Sequence, residues 1–173
     1  MSSDKDKKRT TQKAVAVRMA GGFDREPVLL FAARQAEEVL PAAQVQPLPF
    51  APDWLLGLCA WRRQVLPVLD AAKLYGLDSF TGRSLYLVVR AAAPTGEEDG
   101  TRKLLRCVLK ISSQITARDL PKQCAPASAE ESGLNPALVR GLFAHEDGLL
   151  IVPDLLPALC PAAADNLFQM PAV

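Results

Sequence analysis

Residues 54–77 read WLLGLCAWRRQVLPVLDAAKLYGL, and the fold follows from how this stretch is parsed. Leu55 to Trp61 is an apolar run of strand length, and Val65 to Leu69 is a second. Arg62, Arg63 and Gln64 separate them, too polar to bury and suited in length to a tight hairpin connection. Asp70 follows as a helix N-cap, since its carboxylate can accept the free backbone N–H groups of a first turn. Ala71 to Tyr75 are expected to form a short helix that Gly76 ends in the left-handed conformation. The parse is strand, basic turn, strand, one capped helical turn.

The same grammar returns in residues 139–160, VRGLFAHEDGLLIVPDLLPALC. Gly141-Leu142 opens an apolar run as Gly57-Leu58 does, and Ala144 stands where Ala60 stood. Glu146-Asp147-Gly148 makes a turn, Asp-Gly being a strong hairpin signal because both residues tolerate positive φ. Leu149 to Val152 is the second run, and Asp154 is expected to cap a last short helix. Gly141 stands 84 residues after Gly57, and Asp154 stands 84 after Asp70. A single repeat of that length points to two related subdomains, because solenoid periods are shorter and recur more often.

Outward from these hairpins, Ala14 to Met19 alternates in strand fashion and Val28 to Phe31 returns antiparallel after a turn through Ala20–Gly22 and Asp24–Glu26. Ala33 to Val39 is read as helical, after which Pro41, Pro47, Pro49 and Pro52 hold the chain extended. Ser84 to Arg90 is a strand by its aromatic and β-branched content. Pro94 to Thr101 reads as an exposed acidic loop, Arg102 to Ile111 as another strand, and Pro121 to Pro136 as a long surface loop. Residues 1–12 are read as a polar N-terminal tail, 13–160 as one domain, and 161–173 as a C-terminal tail. Leu56, Leu58, Val65, Val68, Leu87, Leu142, Leu150 and Val152 are the expected core. Short strands, frequent turns and no helices of crossover length make the class all-β, built of small barrels, rather than a parallel α/β sheet.

Composition narrows the function. The chain has 173 residues, with Lys+Arg 20 against Asp+Glu 19. That balance argues against a protein built to bind nucleic acid, which needs a basic surplus facing phosphates. No apolar stretch is long enough to span or insert into a membrane, and MSSDKDKKRTTQK has no apolar signal core behind it, so a cytoplasmic location is expected. Cys59, Cys107, Cys124 and Cys160 form no Cys-x-x-Cys pair, and His145 is the only histidine, so neither a zinc site nor any other metal site is expected. There is no nucleophile elbow, phosphate loop or dinucleotide fingerprint, hence no expected catalytic residues and no cofactor. The pairs Glu37-Glu38, Glu97-Glu98 and Glu130-Glu131 are read as solvated, and Asp70 and Asp154 as caps rather than acid/base groups.

What remains is surface for partners. Arg62 and Arg63 project from a turn beside Trp61, and arginine next to an exposed aromatic is the usual makeup of an interface anchor. Two alternatives stay open: Trp61 tucked into the core, and Arg62 held structurally by an acid such as Asp70.

These residues carry a family resemblance. Gly57, Arg62, Val65, Leu66, Pro67, Val68 and Asp70 resemble in register the signature hairpin of CheW-like domains, roughly Gly-Val-Ile-Asn-Leu-Arg-Gly-x-Ile-Leu-Pro-Val-Ile-Asp-Leu. Val139-Arg140-Gly141, Asp147-Gly148 and Asp154-Leu155 resemble the family's closing hairpin, and Val28 to Pro52 resembles its strand and Val-x-x-Val-rich turn up to a Pro-x-Pro connection, here Pro47-Leu48-Pro49. The resemblance covers about residues 14–160. It implies two intertwined, SH3-like five-stranded β-barrels and a non-catalytic adaptor in a bacterial chemosensory pathway. The implied partners are the regulatory domain of a CheA-type histidine kinase and the cytoplasmic tip of methyl-accepting receptors, in arrays. The family's receptor groove falls on Ala33, Ala36 and Val39. Two alanines there offer less apolar surface to a helical tip, by on the order of 2–4 kcal/mol of burial. The family's Asn-Leu-Arg-Gly turn is Ala60-Trp61-Arg62-Arg63, and arginine for glycine implies a different turn backbone. These departures suggest, as an alternative, a divergent CheW-like interaction protein in a motility or pilus pathway that has lost receptor binding. A small all-β ligand-binding domain or enzyme is the third possibility.

Overall fold

Both hairpins form where the apolar runs put them. The computed structural model describes residues 13–19, 27–79, 81–94, 102–112, 114–119, 125–145 and 148–160. Strands β1 (Lys13–Arg18) and β2 (Val28–Ala32) come first, then β3 (Ala36–Leu40), β4 (Leu55–Trp61), β5 (Gln64–Asp70) and helix α1 (Ala71–Leu74). After them come β6 (Leu85–Pro94), β7 (Arg102–Ile111), β8 (Ile115–Asp119), the two-residue β9 (Ala125–Pro126) and a 3-10 turn (Pro136–Leu138). The described chain closes with β10 (Val139–His145), β11 (Gly148–Pro153) and α2 (Leu156–Leu159). Both tails, the turn at 20–26, the loop 95–101, residues 120–124 and Glu146-Asp147 were expected features that lie outside the described residues.

The fold is all-β, in two sheets with one hairpin in each. One has the order β8-β1-β2-β11-β10-β9 and the other β3-β6-β7-β5-β4. Without the short β9 the two orders are the same pattern, and the pairings agree in sense. β11 runs parallel to β2 and β5 parallel to β7, while the remaining neighbours are antiparallel. The 84-residue repeat therefore reaches into backbone detail. The register shifts between Leu55 and Gly57 and again between Val139 and Gly141. Asp70 N–H donates to Trp54 C=O at 2.8 Å, and Asp154 N–H donates to Leu138 C=O at 2.8 Å.

Burial explains why the subdomains share one chain. Cys59, Trp61, Leu66, Val68, Val88 and Val108 fill one small core, and Ala16, Val28, Leu30 and Leu150 fill the other. Between them lies a larger cluster drawn from both sheets, including Val17, Leu29, Phe31 and Ile151 on one side and Leu69, Leu87, Cys107 and Leu109 on the other. Tyr75 crosses this layer and donates its hydroxyl to Leu138 C=O at 3.0 Å. Each strand of the central pairs thus buries both faces, one inside its own sheet and one against the other subdomain.

Three expectations need correction. Ala33 to Val39 is not helical: residues 33–35 turn, and β3 pairs with β6 from Ala36↔Val89 to Leu40↔Tyr86. The backbone of β6 wins over a weak helical preference, as tertiary pairing commonly does. The stretch 121–136 contains β9 and the start of the 3-10 turn, and β8 precedes it where no strand was expected. In the core, Val68, Leu87, Leu142 and Leu150 are buried, but Leu56, Leu58 and Val152 are half-buried and Val65 is 68% exposed. β4 and β5 turn Cys59, Trp61, Leu66 and Val68 inward instead. Runs that are apolar at every position carry no phase information, so alternation could not be read from them.

Candidate functional site

The hairpin turn is where the backbone is least ordinary. Arg62 (φ 41°) and Arg63 (φ 64°) both adopt left-handed conformations, and Trp61 pairs with Gln64 across them. Two positive φ values in a two-residue loop are what the right-handed twist of the flanking strands demands. The turn therefore keeps the left-handed backbone that the replacement of glycine by Arg63 was expected to change. The demand falls on two side chains that tolerate it poorly, at about 1–2 kcal/mol each.

The neighbours of the turn hold it in place. Trp61 is buried, and its indole N–H donates to Glu38 Oε2 at 2.9 Å. Arg62 reaches the same oxygen at 2.9 Å and lays its guanidinium 4.7 Å from the Trp61 ring centroid. Trp61 is thus tucked into the core with its polar edge satisfied, and Arg62 caps it from outside, 67% exposed. The acid that holds Arg62 is Glu38, not Asp70. Asp70 is buried, accepts the N–H groups of Ala72 and Lys73 at 3.1 and 3.2 Å, and meets Ser79 and Lys110 through its other oxygen. Asp154 also divides its oxygens, but it is not the expected cap of α2: Leu155 holds the N-cap place and makes no side-chain cap bond. One oxygen accepts Leu156 N–H at 3.1 Å and the other accepts Arg140 Nε–H at 3.0 Å.

Glu37 and Glu38 are not a solvated pair. The β3 register shifts between Ala36 and Glu38, leaving Glu37 as the extra residue of a bulge. Its carboxylate, 15% exposed, lies 2.9 Å from Arg106 and 3.6 Å from Arg90. Those arginines are directly opposite in the β6–β7 ladder, where like charges repel. The Glu37 carboxylate offsets that repulsion, and its hydrogen bond raises the Arg106 pKa.

A cleft of about 430 Å³ gathers Ala33, Ala36, Trp61 and Arg62 with Arg34, Glu37, Arg90 and Arg106. Four of the six partner-site candidates thus meet in one hollow. Arg63 projects from the turn outside it, and Val39, 45% exposed, stands further along β3. Sequence reading missed the arginines and both glutamates. The signal was present only as spacing: Arg90 and Arg106 become neighbours once β6 and β7 are put in register. Among the described residues no group of His, Cys, Asp and Glu could hold a metal ion, and no helix is long and apolar enough to cross a membrane.

Comparison with known proteins bears on both family and fold. The model of the CheW-like domain family matches residues 24–159. The crystal structure of the scaffolding protein TtCheW from Thermoanaerobacter tengcongensis superposes with a TM-score of 0.65 at 16% identity, over 89% of this chain and 91% of that one. At that identity the likeness speaks for the fold. No curated protein matches. The family model spans most of the chain, including both hairpins and the residues that line the cleft: the chain belongs to the CheW-like domain family.

Proposed function

We propose that the chain is a non-catalytic scaffold of a bacterial chemosensory pathway, coupling the regulatory domain of a CheA-type histidine kinase to methyl-accepting receptors. It would act in the cytoplasm and reach receptor arrays through these partners. Family membership supports the general role, and the hairpin turn supports the kinase side. Arg62 is exposed yet fixed by Glu38 and Trp61, so little side-chain entropy is left to lose on binding. Beside it Val65 and its cross-strand partner Ala60 are exposed, completing an arginine-and-aliphatic patch. Arg63 adds a second exposed guanidinium.

Titration of the full chain with an isolated kinase regulatory domain, beside thermal melts, tests this. Arg62→Ala with Arg63→Ala is expected to weaken binding about tenfold, on the order of 1.4 kcal/mol. Stability should change by about 1 kcal/mol or less, since an exposed ion pair and an exposed cation–π contact are both small. A lowered melt with unchanged affinity per folded molecule assigns the arginines to turn structure and sinks the kinase surface.

A second reading is a scaffold that keeps the kinase side but serves a motility or pilus pathway. The observation favouring it is the lining of the cleft, where Ala33 and Ala36 lie among arginines rather than large aliphatic residues. Pull-down from the native cytoplasm separates the two. Kinase and receptor together support the first, and kinase without receptor the second.

A further inference from the structure

A larger hollow of about 940 Å³ adjoins the cleft and shares Arg34 and Arg90 with it, adding Gln35, Ala92, Leu104, Arg140 and Leu156. The β6–β7 ladder builds its floor. Arg90 pairs with Arg106 and, two residues further, Ala92 pairs with Leu104, so these four share a face. β3 begins at Ala36, opposite Val89, so beyond Arg90, whose N–H still donates to Gln35 C=O, that edge of β6 has no strand partner among the described residues. The result is a basic ledge with an aliphatic step, Leu104 being 49% exposed.

Among the described residues the charges there do not balance. Arg90 and Arg106 share the single carboxylate of Glu37. Arg140 has Asp154, and Arg34, exposed on the β2–β3 turn, makes no ion pair among the described residues. With Arg62, which lines the smaller cleft and is held by Glu38, five guanidinium groups meet three carboxylates among the described residues, on a chain whose formal net charge is only +1. Keeping like charges together costs free energy that an anionic occupant would recover. The exposed Leu104 and Ala92 distinguish that occupant from a bare anion, because they offer apolar contact beside the charge.

We infer that this double cleft docks an acidic peptide segment of a partner protein, carboxylates on Arg34 and Arg90 and an aliphatic side chain on Leu104. Forked guanidinium groups match carboxylates in two-point geometry. The inference goes beyond kinase coupling and does not depend on it, since neither Arg34 nor Leu104 belongs to the hairpin turn. It gives the face thinned by Ala33 and Ala36 a partner chosen by charge instead of by apolar area.

The test is fluorescence anisotropy of the full chain with a labelled peptide of about 12 residues alternating glutamate and leucine. The same peptide with glutamine for glutamate is the control. The acidic peptide is expected to bind at least tenfold more tightly than the control and to weaken as salt rises through the range where screening acts. Arg34→Gln should weaken it about tenfold, as loss of a charge-assisted contact implies, with an unchanged melt and unchanged affinity for the kinase regulatory domain. Equal binding of the two peptides, no effect of Arg34→Gln, or no binding at about millimolar chain overturns the inference. So does an oligonucleotide of equal charge that binds as tightly and is equally sensitive to Arg34→Gln, which would mark attraction to any polyanion. A loss of kinase binding in Arg62→Ala,Arg63→Ala alone leaves this reading standing, so the two proposals fail separately.

Discussion

Replacing Arg63 by glycine should stabilise the protein. Arg63 sits at φ 64°, which costs a residue with a Cβ about 1–2 kcal/mol. Glycine removes that cost but gives the unfolded chain more freedom, worth about 0.4–1 kcal/mol against folding. Arg63 makes no ion pair or hydrogen bond among the described residues, so nothing else is forfeited. The balance is a gain of about 0.5–1 kcal/mol, a rise of about 1–4 °C in Tm for a domain of this size. Arg62→Gly is the contrasting variant. It relieves a similar strain at φ 41° but gives up the Glu38 ion pair and the contact with Trp61, so it should show no gain. Urea denaturation with both variants and the parent reads the difference directly. A lower midpoint for Arg63→Gly would mean that the turn is not strained at this position, and the argument from backbone geometry would fail. If Arg63→Gly is both more stable and weaker in kinase binding, the strain is kept for the sake of the surface it presents.

Gly57→Ala should be severely destabilising, by more than about 3 kcal/mol. A Cβ there would lie 2.1 Å from Gln46 C=O oxygen, at φ +143°, and chemical denaturation showing a near-native midpoint would contradict the close approach of these segments. Gly141→Ala, at the equivalent place in the second hairpin, should cost far less, because the nearest atom is a Phe143 side-chain carbon at 3.1 Å; equal losses in the two variants would refute the distinction. Alkaline pH should unfold the protein through its central layer. Burial pushes the Cys107 thiol up to about 12 and raises the Tyr75 hydroxyl further. Both groups hold their protons more tightly folded than unfolded, so their stability is intact below about pH 9 and falls above it. The slope approaches about 1.4 kcal/mol per pH unit for each group between its unfolded and folded pKa. A Cys107→Ala chain should lose the part of this slope that begins near pH 9, and an unchanged pH profile would show that the thiol does not contribute.

The hairpins were legible because everything that specifies them is local: two apolar runs, a polar turn between them and an aspartate after the second. Their repetition at a constant offset made the two-subdomain architecture legible as well. What escaped was set by partners far away in sequence. The Ala33–Val39 segment has no strong local preference, and only the edge of β6 makes part of it a strand. Glu37-Glu38 looked solvated because neither Trp61 nor Arg106 is near in sequence, yet both become neighbours through the β3–β6–β7–β5–β4 order. Arg62 was legible as a surface residue, but the acid that fixes it was not. Recognising the Arg34, Arg90, Arg106 and Arg140 cluster needed two strand registers and the meeting of both subdomains, none of which has a local signal.

The order in which the strands leave the ribosome differs for the two sheets. The five-stranded sheet is drawn from one uninterrupted length of chain, Ala36 to Ile111, so all its members are available once β7 has emerged. The six-stranded sheet takes β1 and β2 from before that length and β8 to β11 from after it. During synthesis β2 must therefore wait for β11, with its backbone edge open and Leu29 and Phe31 lacking Ile151 against them. Such waiting segments are prone to misassociation. A chain cut short between β7 and β11 should accordingly be a hazard to itself: a complete first sheet carrying an unfinished strand pair on its side.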